Sequence, residues 1–544
     1  MIRLKMKDIM KNRSTMDRNY GDIFVEDIPV NDAGRKKRRG KKTEKAISEE
    51  EYTGSDSAYY DDEEEQERIR RKKNRGLVQM SYLMVALFLS MAAYLIYLNV
   101  ELRDDLNSNP YNTKQAVYQE QIIRGNIYSE DGETLAVTEV AEDGTESRYY
   151  PYSNLFAHIV GYATNGKSGV ESVNNYELTT SHASILDQIR EEKLDTKVQG
   201  DSIVLTLNSR LQAACYQALG DNKGAIVVLE PDTGKILAMV SKPDFDPNTI
   251  EQDWDALIND ETNSSQFNRA IQGQYPPGST FKILTALEYI REHPDDYQNF
   301  SYNCDGRISK EDVTITCYEG EVHGYENLES SFVNSCNGAF AQIGMEIDNR
   351  SFKALCEDFM FNKDTPLDLP SSQSLFRLTE NASYGEEMMT AIGQGETLVS
   401  PLEMALVSAT VANGGTMMKP YYIDRIETYD QEVVKQYKPS KYKELMSAEE
   451  VEIISGFMEK VVTEGTARKL SGESYTAAGK TGSAEYGSKD GEHGTHSWFT
   501  GYLDVENPKL AISVIIEDGG AGSASAVPAA KQIFDTWWYE LQYE

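Results

Sequence analysis

The longest apolar stretch of the chain covers residues 77–100 and contains no charged residue. As an α-helix, these 24 residues would be roughly 36 Å long, enough to cross a hydrocarbon layer of about 30 Å with some tilt. A cleaved signal peptide usually begins near the N-terminus and ends at a small-residue cleavage site, and this segment has neither feature. The pattern therefore predicts one transmembrane helix at 77–100.

Short alternating stretches separated by turns follow this helix. Residues 122–128 alternate as a strand does, and residues 130–133 have the composition of a turn. Residues 101–117 show neither pattern and are interpreted as a stalk. The sequence thus predicts a stalk and a small β-rich, non-catalytic module at 101–200.

From residue 201 to residue 544 the pattern is that of one large α/β domain. Two predicted strands, 224–229 and 235–240, are joined by a turn at 231–234. Asn208 or Ser209 has the right type and position to cap the first helix. The other predicted elements are strands at 202–207 and 509–516 and helices at 209–219, 279–292 and 529–541.

The formal net charge of −34 is distributed unevenly along the 544 residues. Residues 1–76 contain a basic block at 35–42 and an acidic block at 61–67, with few apolar residues between them, which predicts a disordered tail. The acidic balance of the remainder excludes nucleic acid as a partner, because phosphate binding needs a cationic surface. Lys and Arg at 68–75 directly precede the apolar segment, so the positive-inside rule predicts a single-pass cell-membrane protein with a cytoplasmic N-terminus and residues 101–544 outside the cell.

The first candidate for chemistry lies between Tyr275 and Leu284. Two prolines and a glycine predict a turn there, and a predicted helix begins directly after it. Ser279 and Lys282 are three residues apart, so their side chains share one face of the helix. Unpaired N–H groups and the helix dipole favour negative charge at this position. Lys282 can remove the serine proton if burial or another cation lowers its pKa.

Two downstream segments complete a set of three motifs. One has the pattern Ser-x-Asn and the other is Lys-Thr-Gly-Ser. The order Ser-x-x-Lys, Ser-x-Asn, Lys-Thr-Gly is typical of penicillin-interacting serine acyltransferases. The candidate residues in these two segments are Ser335, Asn337, Lys480, Thr481, Gly482 and Ser483.

From about residue 124 to the C-terminus the chain resembles the class B penicillin-binding proteins. Residues 124–136 resemble the start of the pedestal of that class, and no glycosyltransferase-like segment precedes them, which disfavours the bifunctional class A. The resemblance implies a penicillin-binding transpeptidase fold, in which helices flank a mixed sheet, with a small β-rich pedestal and one N-terminal transmembrane helix. Besides the three motifs, it rests on GAIVVLEP at 224–231, TGKILAM at 233–239, AIGQG at 391–395 and HSWFTG at 496–501.

The resemblance also implies a D,D-transpeptidase that needs no cofactor. Ser279 would attack the carbonyl between the two terminal D-alanines of a peptidoglycan stem peptide, and Lys282 would take its proton. Ser335 would relay a proton to the departing D-alanine, and Asn337 would bind the substrate amide. Lys480 would hold Ser335 and Lys282 in an electropositive pocket.

The third motif is implied to bind the substrate through Thr481, Gly482 and Ser483. Backbone N–H groups of Ser279 and Ser483 would form the oxyanion hole, and the hydroxyls of Thr481 and Ser483 would bind the terminal carboxylate. The family usually has threonine where this chain has Ser483. Because the hydroxyl and the N–H are both kept, little loss of function is expected.

The implied partners follow from the same resemblance. They are the stem peptides of lipid-linked nascent glycan, β-lactams that acylate Ser279, the membrane, and a polytopic glycosyltransferase beside the membrane helix and pedestal. Division, elongation and sporulation stay open as the cellular process.

Other functions share parts of this pattern. A β-lactam-hydrolysing enzyme or a D,D-carboxypeptidase would use the same nucleophile, but the pedestal and the chain length argue against both. A β-lactam-sensing receptor usually has several membrane spans and a cytoplasmic effector module. A scaffold with a dead site is disfavoured by the complete motif set.

The cysteines and histidines leave one alternative open. Cys304 and Cys317 flank a short loop, and an extracellular location permits either a disulfide between them or two free thiols. Cys336 is interpreted as a packing residue. Neither the pair His493 and His496 nor the pair Cys317 and His323 has a convincing further set of ligands in the sequence, so no metal site is expected.

Overall fold

The long N-terminal helix is the first element of the structure. The computed structural model describes residues 58–100, 122–183, 197–260, 262–487 and 493–542, and the chain divides into two units, Met1–Tyr94 and Leu95–Glu544. Helix α1 (Ala58–Val100) is 43 residues long. Within the described residues, the part of α1 from Glu64 to Leu98 is the one helix long and apolar enough to cross a membrane.

Helix α1 begins well before the predicted membrane segment. Residues 58–76, expected to be part of a disordered tail, are helical, because this charged run consists mainly of good helix formers. Arg71 and Glu67, four residues apart, form an ion pair of 3.3 Å on its surface. The rest of the predicted tail and the predicted stalk lie outside the described residues.

The remaining helices are short or of medium length. They are α2 (Ala157–Val160), α3 (Gly169–Val173), α4 (Asn175–Leu178), α5 (Ser209–Leu219), α6 (Ile250–Ile258), α7 (Arg269–Gln272), α8 (Lys282–Glu292), α9 (Leu328–Val333), α10 (Asn337–Glu346), α11 (Asn349–Asp358), α12 (Tyr384–Ala391), α13 (Pro401–Ala412), α14 (Ala448–Thr463) and α15 (Ala526–Thr536).

The strands are β1 (Ile122–Ile123), β2 (Ile127–Tyr128), β3 (Thr134–Val140), β4 (Glu146–Tyr149), β5 (Val198–Gln199), β6 (Ser202–Leu205), β7 (Gly224–Leu229), β8 (Ile236–Lys242), β9 (Tyr302–Cys304), β10 (Arg307–Lys310), β11 (Val313–Thr316), β12 (Gly324–Glu326), β13 (Thr416–Met418), β14 (Ile423–Glu427), β15 (Val433–Gln436), β16 (Lys441–Glu444), β17 (Ala477–Gly487), β18 (His493–Leu503) and β19 (Leu510–Ile516).

A five-stranded sheet forms the centre of the C-terminal part. Its strand order is β17-β18-β19-β7-β8, and all neighbouring strands are antiparallel. Every residue of β7 and β19 is buried, so both faces of the sheet must be covered. Helix α13, which is apolar and buried along nearly its whole length, packs against β7, β18 and β19, and helices α5 and α15 also pack on the sheet. The arrangement leaves β17 as an edge strand.

A second sheet has six strands and contains one parallel pair, β2 with β6. Its order is β15-β14-β6-β2-β3-β4. The central strand β6 therefore joins strands from the predicted pedestal to strands that follow α13 in the chain. Because this sheet contains residues from both sides of position 200, the domain boundary at that position stays a prediction.

Several predicted elements differ from the structure at their ends, including the strands predicted at 235–240 and 509–516, which are Ile236–Lys242 and Leu510–Ile516. The strand predicted at 202–207 ends at Leu205, and Asn208 is the residue that caps α5. The helix predicted at 279–292 begins with a separate 3₁₀ turn, Gly278–Phe281, before α8 starts. The C-terminal helix starts earlier than predicted and ends at Thr536, followed by one π-helical turn, Trp537–Leu541.

Candidate active site

A 3₁₀ turn places Ser279 immediately before helix α8. The turn Gly278–Phe281 leads directly into Lys282, the first residue of α8. Because side chains three residues apart eclipse one another in a 3₁₀ helix, Ser279 and Lys282 lie on the same side. Ser279 is half-buried and borders a groove, whereas Lys282 is completely buried.

Two glycines allow this turn to approach the edge strand β17. Gly278 has a φ of +54°, and a β-carbon on it would lie 3.0 Å from the carbonyl oxygen of Ser483. A β-carbon on Gly482 would likewise lie 3.0 Å from the carbonyl oxygen of Pro277. The close contact between the first and third motifs thus requires residues without a β-carbon at positions 278 and 482.

Lys282 is the donor to the second motif. Its Nζ donates hydrogen bonds of 2.8 Å to the carbonyl oxygen of Ser335 and 2.8 Å to Oδ1 of Asn337, and it lies 3.4 Å from Oγ of Ser335. Burial lowers the pKa of Lys282 to about 8. A neutral amine is therefore accessible near neutral pH, as a general base requires.

Ser335 lies between two lysines. It is in the turn between α9 and α10 with a φ of +58°, a conformation uncommon for a residue with a side chain. Lys480 Nζ donates a hydrogen bond of 2.9 Å to Ser335 Oγ. Burial, and then the charge of Lys282, lower the pKa of Lys480 well below its ordinary value. The hydroxyl of Ser335 thus connects both amines.

Asn337 is the first residue of α10 and joins the second motif to a neighbouring loop. While its Oδ1 accepts from Lys282, its Nδ2 donates a hydrogen bond of 2.9 Å to the carbonyl oxygen of Thr316. These two hydrogen bonds hold the side chain in one orientation, and Nδ2 carries a second N–H beside the groove.

The third motif lies on β17, which pairs with β18 on one side only. Its other edge borders the groove at Thr481 and Ser483, where an extended peptide could be added as a further strand. Oγ1 of Thr481 lies 2.6 Å from Oγ1 of Thr466, and Oγ of Ser483 accepts from the N–H of Gly522 at 3.3 Å.

The three motifs meet at one open groove with a cavity volume of about 580 Å³. The groove is lined by Ser279, Ser335, Asn337, Thr481 and Ser483 among others. The remaining candidates, Lys282, Lys480 and Gly482, are buried. The structure therefore brings all eight sequence-predicted residues to one place, with polar groups at the surface and two amines below.

Comparisons with known proteins identify the family of this chain. The family model described as penicillin binding protein transpeptidase domain matches residues 224–535, more than half of the chain. The chain belongs to the penicillin-binding protein transpeptidase family. A second model, described as penicillin binding protein A dimerisation domain, matches residues 124–203.

Individual relatives cover most of the chain. The peptidoglycan D,D-transpeptidase PbpA of Mycolicibacterium smegmatis is 27% identical over 486 residues, which are 84% of this chain and 98% of the relative. A D,D-transpeptidase domain from Eggerthella lenta is similar in structure, with 30% identity and a TM-score of 0.70, covering 78% of this chain and 99% of that one. Penicillin-binding protein A of M. tuberculosis, solved as an imipenem acyl-enzyme, has 26% identity and a TM-score of 0.71, covering 77% and 99%.

Some residues of this transpeptidase groove were not singled out by motif. Thr466 contacts Thr481, and residues 314–321 form one wall of the groove. Gln394, in its favourable amide orientation, pairs with the backbone N–H and carbonyl of Glu485, at 3.1 Å each, and so ties the AIGQG segment to β17. The AIGQG segment was part of the resemblance but carried no assigned contact. Thr466 and the loop had no sequence signal of their own.

Three of the five cysteines lie in or beside the second motif. Cys304, Cys317 and Cys336 are all buried and free, with 3.6 Å between the sulfurs of Cys304 and Cys317. A disulfide bond is about 2.05 Å long, so the structure contains the two free thiols of the open alternative. His323 Nδ1 lies 3.4 Å from the Cys304 sulfur. No further ligands for Cys317 and His323 were expected from the sequence, but in the structure one donor atom each of Cys304, Cys317, His323 and Cys336 lies within 4.8 Å of the other three.

His493 and His496, the other pair considered as metal ligands, are not part of any ligand cluster within the described residues. His496 is buried in β18, and its ring stacks on Tyr486 with 4.4 Å between ring centroids. His493 is exposed at the start of the same strand. Their arrangement is that of strand residues.

Proposed function

We propose that this chain is a peptidoglycan D,D-transpeptidase, a serine acyltransferase that cross-links stem peptides in cell-wall synthesis and is acylated by β-lactams. One observation carries the assignment of roles. Ser279 borders an open groove, and next to it two buried amines, Lys282 and Lys480, contact the same hydroxyl of Ser335.

Acylation uses the first motif. Lys282 in its neutral form takes the proton of Ser279 while the serine oxygen attacks the carbonyl between the two terminal D-alanines. The new carbon–oxygen bond gives a tetrahedral oxyanion, stabilised by the N–H groups of Ser279 and Ser483. The peptide carbon–nitrogen bond then breaks and leaves an acyl-enzyme.

Departure of the terminal D-alanine uses the second motif. Its amine needs a proton, and the hydroxyl of Ser335 delivers it while Lys480 and Lys282 resupply that hydroxyl through the observed contacts. An amine of a neighbouring stem peptide next attacks the ester on Ser279, and the same groups carry its proton in the reverse direction. The product is a cross-linked peptide and free Ser279.

The edge of β17 binds the donor peptide. The hydroxyls of Thr481 and Ser483 border the groove and hold the terminal carboxylate, and Asn337 binds the substrate amide. An extended stem peptide lies along the free edge of β17 and uses its backbone groups. A β-lactam binds in the same groove and acylates Ser279. Its ring amide bond breaks, but the amine stays attached to the acyl group, so no leaving group departs.

The membrane topology is also part of this proposal. Helix α1 crosses the membrane once, with its charged N-terminal part in the cytoplasm and the transpeptidase domain outside. A polytopic glycosyltransferase that makes the glycan is the proposed partner. Proteolysis of intact spheroplasts tests the orientation: the transpeptidase domain should be digested from outside, and protection until lysis would refute it. The proposed partnership would be refuted if repeated purification of this protein from membranes never recovered a polytopic glycosyltransferase with it.

Fluorescent penicillin tests the nucleophile. The full-length protein and Ser279→Ala are labelled in parallel, with Ser471→Ala, an exposed serine outside the groove, as the matched control. Label should be lost with Ser279→Ala and kept with Ser471→Ala, and peptide mass spectrometry should locate the adduct on Ser279. An adduct on any other residue would refute the assignment.

The lifetime of the adduct separates transfer from hydrolysis. In a transpeptidase the penicilloyl ester lasts far longer than one catalytic cycle with substrate. The unlabelled enzyme forms cross-linked dimers from lipid-linked substrate. A rapidly lost adduct without cross-linked product would instead support a β-lactam-hydrolysing enzyme or a carboxypeptidase.

A further inference from the structure

Four side chains from distant positions converge beside the Ser335 turn. Cys304 ends β9, Cys317 precedes a 3₁₀ turn, His323 precedes β12, and Cys336 caps α10. One donor atom of each lies within 4.8 Å of all the others. We refer to these four residues, Cys304, Cys317, His323 and Cys336, as the thiol–imidazole cluster.

Three distances between donor atoms of the cluster match those of a tetrahedral zinc site. Bonds of about 2.3 Å to sulfur and about 2.0 Å to nitrogen place two tetrahedral sulfur ligands about 3.8 Å apart and a sulfur and a nitrogen about 3.5 Å apart. The structure has 3.6 Å between the sulfurs of Cys304 and Cys317, and 3.9 Å between those of Cys317 and Cys336. Nδ1 of His323 lies 3.4 Å from the Cys304 sulfur.

The burial of the cluster and the contacts around it are also those expected of a metal site. The three cysteines are at most 2% exposed, and the His323 side chain is 7% exposed. N–H groups of Gly306 and Ala339 each point at a cluster sulfur at 3.4 Å, as donors to metal thiolates do. The other ring nitrogen of His323 lies 3.7 Å from the exposed carboxylate of Glu321, so a small rotation of Glu321 would give the carboxylate contact that orients many zinc-bound histidines.

Two simpler explanations account for less of this geometry. A disulfide between Cys304 and Cys317 would leave Cys336 and His323 without a reason to converge on the same point. Ordinary packing of buried cysteines explains Cys215 and Cys356, which are buried among apolar side chains of the core, but it gives no reason for an imidazole nitrogen directed at the sulfurs.

We infer that the thiol–imidazole cluster binds one Zn²⁺ ion as a structural site. Each of the three thiols loses its proton to solvent when the ion binds, and the neutral imidazole donates its Nδ1 lone pair. Four protein ligands complete the tetrahedron and leave no open position for water or substrate. The ion therefore stabilises the fold and takes no part in acyl transfer.

The ion cross-links one wall of the groove to the second motif. Cys336 lies between Ser335 and Asn337. Cys317 and His323 belong to that wall, and Cys304 is the last residue of β9. Binding holds Ser335 at its positive φ and keeps the Asn337 amide on the carbonyl of Thr316. The site thus preserves the positions of groups that would otherwise be held by a loop alone.

Metal analysis of the purified protein tests this inference directly. The full-length chain is purified in detergent without a metal-affinity resin or chelator, and elements are quantified by inductively coupled plasma mass spectrometry. We expect about one zinc per chain. Stoichiometric iron in place of zinc, a native protein that neither contains nor takes up zinc, or a Cys304–Cys317 disulfide in the intact mass after alkylation would each overturn the inference.

Matched variants locate the ion. Cys304→Ala and Cys317→Ala should lose the zinc, whereas Cys215→Ala and Cys356→Ala, which remove buried thiols outside the cluster, should retain it. Retention in the first pair or loss in the second would overturn the assignment. If the cluster variants do not accumulate as folded protein, chelation of the native chain decides: its melting temperature should fall and recover with added Zn²⁺, and no change would overturn the structural role.

A second measurement is the rate at which fluorescent penicillin labels Ser279. This rate rests on the proposed function, whereas the zinc content does not. Chelation should slow labelling of Ser279 by fluorescent penicillin by about tenfold or more, because Ser335 and Asn337 flank a ligand. Zinc at full stoichiometry without any labelling of Ser279 would contradict the transpeptidase assignment and leave the metal site standing.

Discussion

The amine of Lys480 lies 2.9 Å from the hydroxyl of Ser335, although the two residues belong to different motifs and Lys480 is completely buried. A buried lysine without an acidic partner is unfavourable, and here its neighbour is a second buried lysine, Lys282. Such a pair is retained where chemistry requires an easily neutralised amine. The contact makes Ser335 a bridge between two bases.

This contact predicts that Ser335 and Lys480 act as one unit. Ser335→Ala and Lys480→Met should each slow acylation of Ser279 by about 10²–10⁴-fold, the usual contribution of a positioned acid–base group. The double variant should lose about as much as the worse single variant, because either change breaks the same path. Second-order rate constants with fluorescent penicillin for all four proteins measure this, and losses that multiply would show that the residues act independently.

Lys282 predicts the pH dependence of acylation. Burial lowers its pKa to about 8, and the amine accepts a proton only when it is neutral. The acylation rate constant should therefore be low below this pKa, rise as the pH passes through about 8, and level off above it. Stopped-flow labelling across the pH range checks the profile. Lys282→Arg, which keeps a positive charge that does not titrate in this range, should be slow and flat; a flat profile of the native protein would contradict the base assignment.

Motif order in the sequence was sufficient to predict the three stretches that supply the eight candidate residues of the site. The apolar runs that became β7 and β19 were also predicted as strands, although their pairing at the centre of the main sheet was not. These signals are local, since each depends on a few consecutive residues. The junction of Ser202–Leu205 with Ile423–Glu427 was not predicted, because pairing between strands so far apart depends on how the whole domain packs.

The thiol–imidazole cluster could not be recognised from the spacing of its residues in the sequence. Zinc sites are usually recognised by pairs of ligands two to five residues apart, and here no two ligands are that close in the chain. Their convergence requires the turn at Ser335 with its positive φ and the folding of residues 304–323 back onto it. Thr466 was missed for the same reason, because its contact with Thr481 exists only in three dimensions.

The nucleophile turn predicts a specific effect of Gly278→Ala. A side chain at a φ of +54° is strained, and its β-carbon would lie 3.0 Å from the Ser483 carbonyl. The turn must move away from β17, so acylation of Ser279 should fall by about 10²-fold, the cost of misplacing a reacting group by about 1 Å. Gly220→Ala is the matched control, because Gly220 has a φ of +58° but the nearest atom to its β-carbon would be 3.9 Å away. Both variants should be slightly less stable, and equal labelling rates would show that the close approach is unimportant.

The buried carboxylate of Glu171 predicts a large loss of stability when this residue of the predicted pedestal is replaced. Arg124 Nε and Arg148 Nε lie 2.5 Å and 2.7 Å from its two oxygens, and its side chain is fully buried. Burial alone would raise the pKa of Glu171, but the two arginines hold it below its ordinary value. Glu171→Ala leaves two guanidinium groups without their counter-charge, which typically costs about 3–5 kcal/mol. Thermal unfolding should show a clearly lower melting temperature.

The sign of the pH effect distinguishes this ion pair from a packing contact. Since the folded-state pKa of Glu171 is lowered, its stabilisation is complete above the ordinary carboxyl pKa of 4.5 and is lost as the pH falls through the lowered value. The melting-temperature difference between the native protein and Glu171→Ala should therefore shrink in acid. Glu380→Ala, which breaks the exposed 2.8 Å ion pair with Arg350, should change the melting temperature little at any pH, because solvent screens exposed pairs. Equal losses in the two variants would mean that burial of the Glu171 charge does not contribute to the stability of the pedestal.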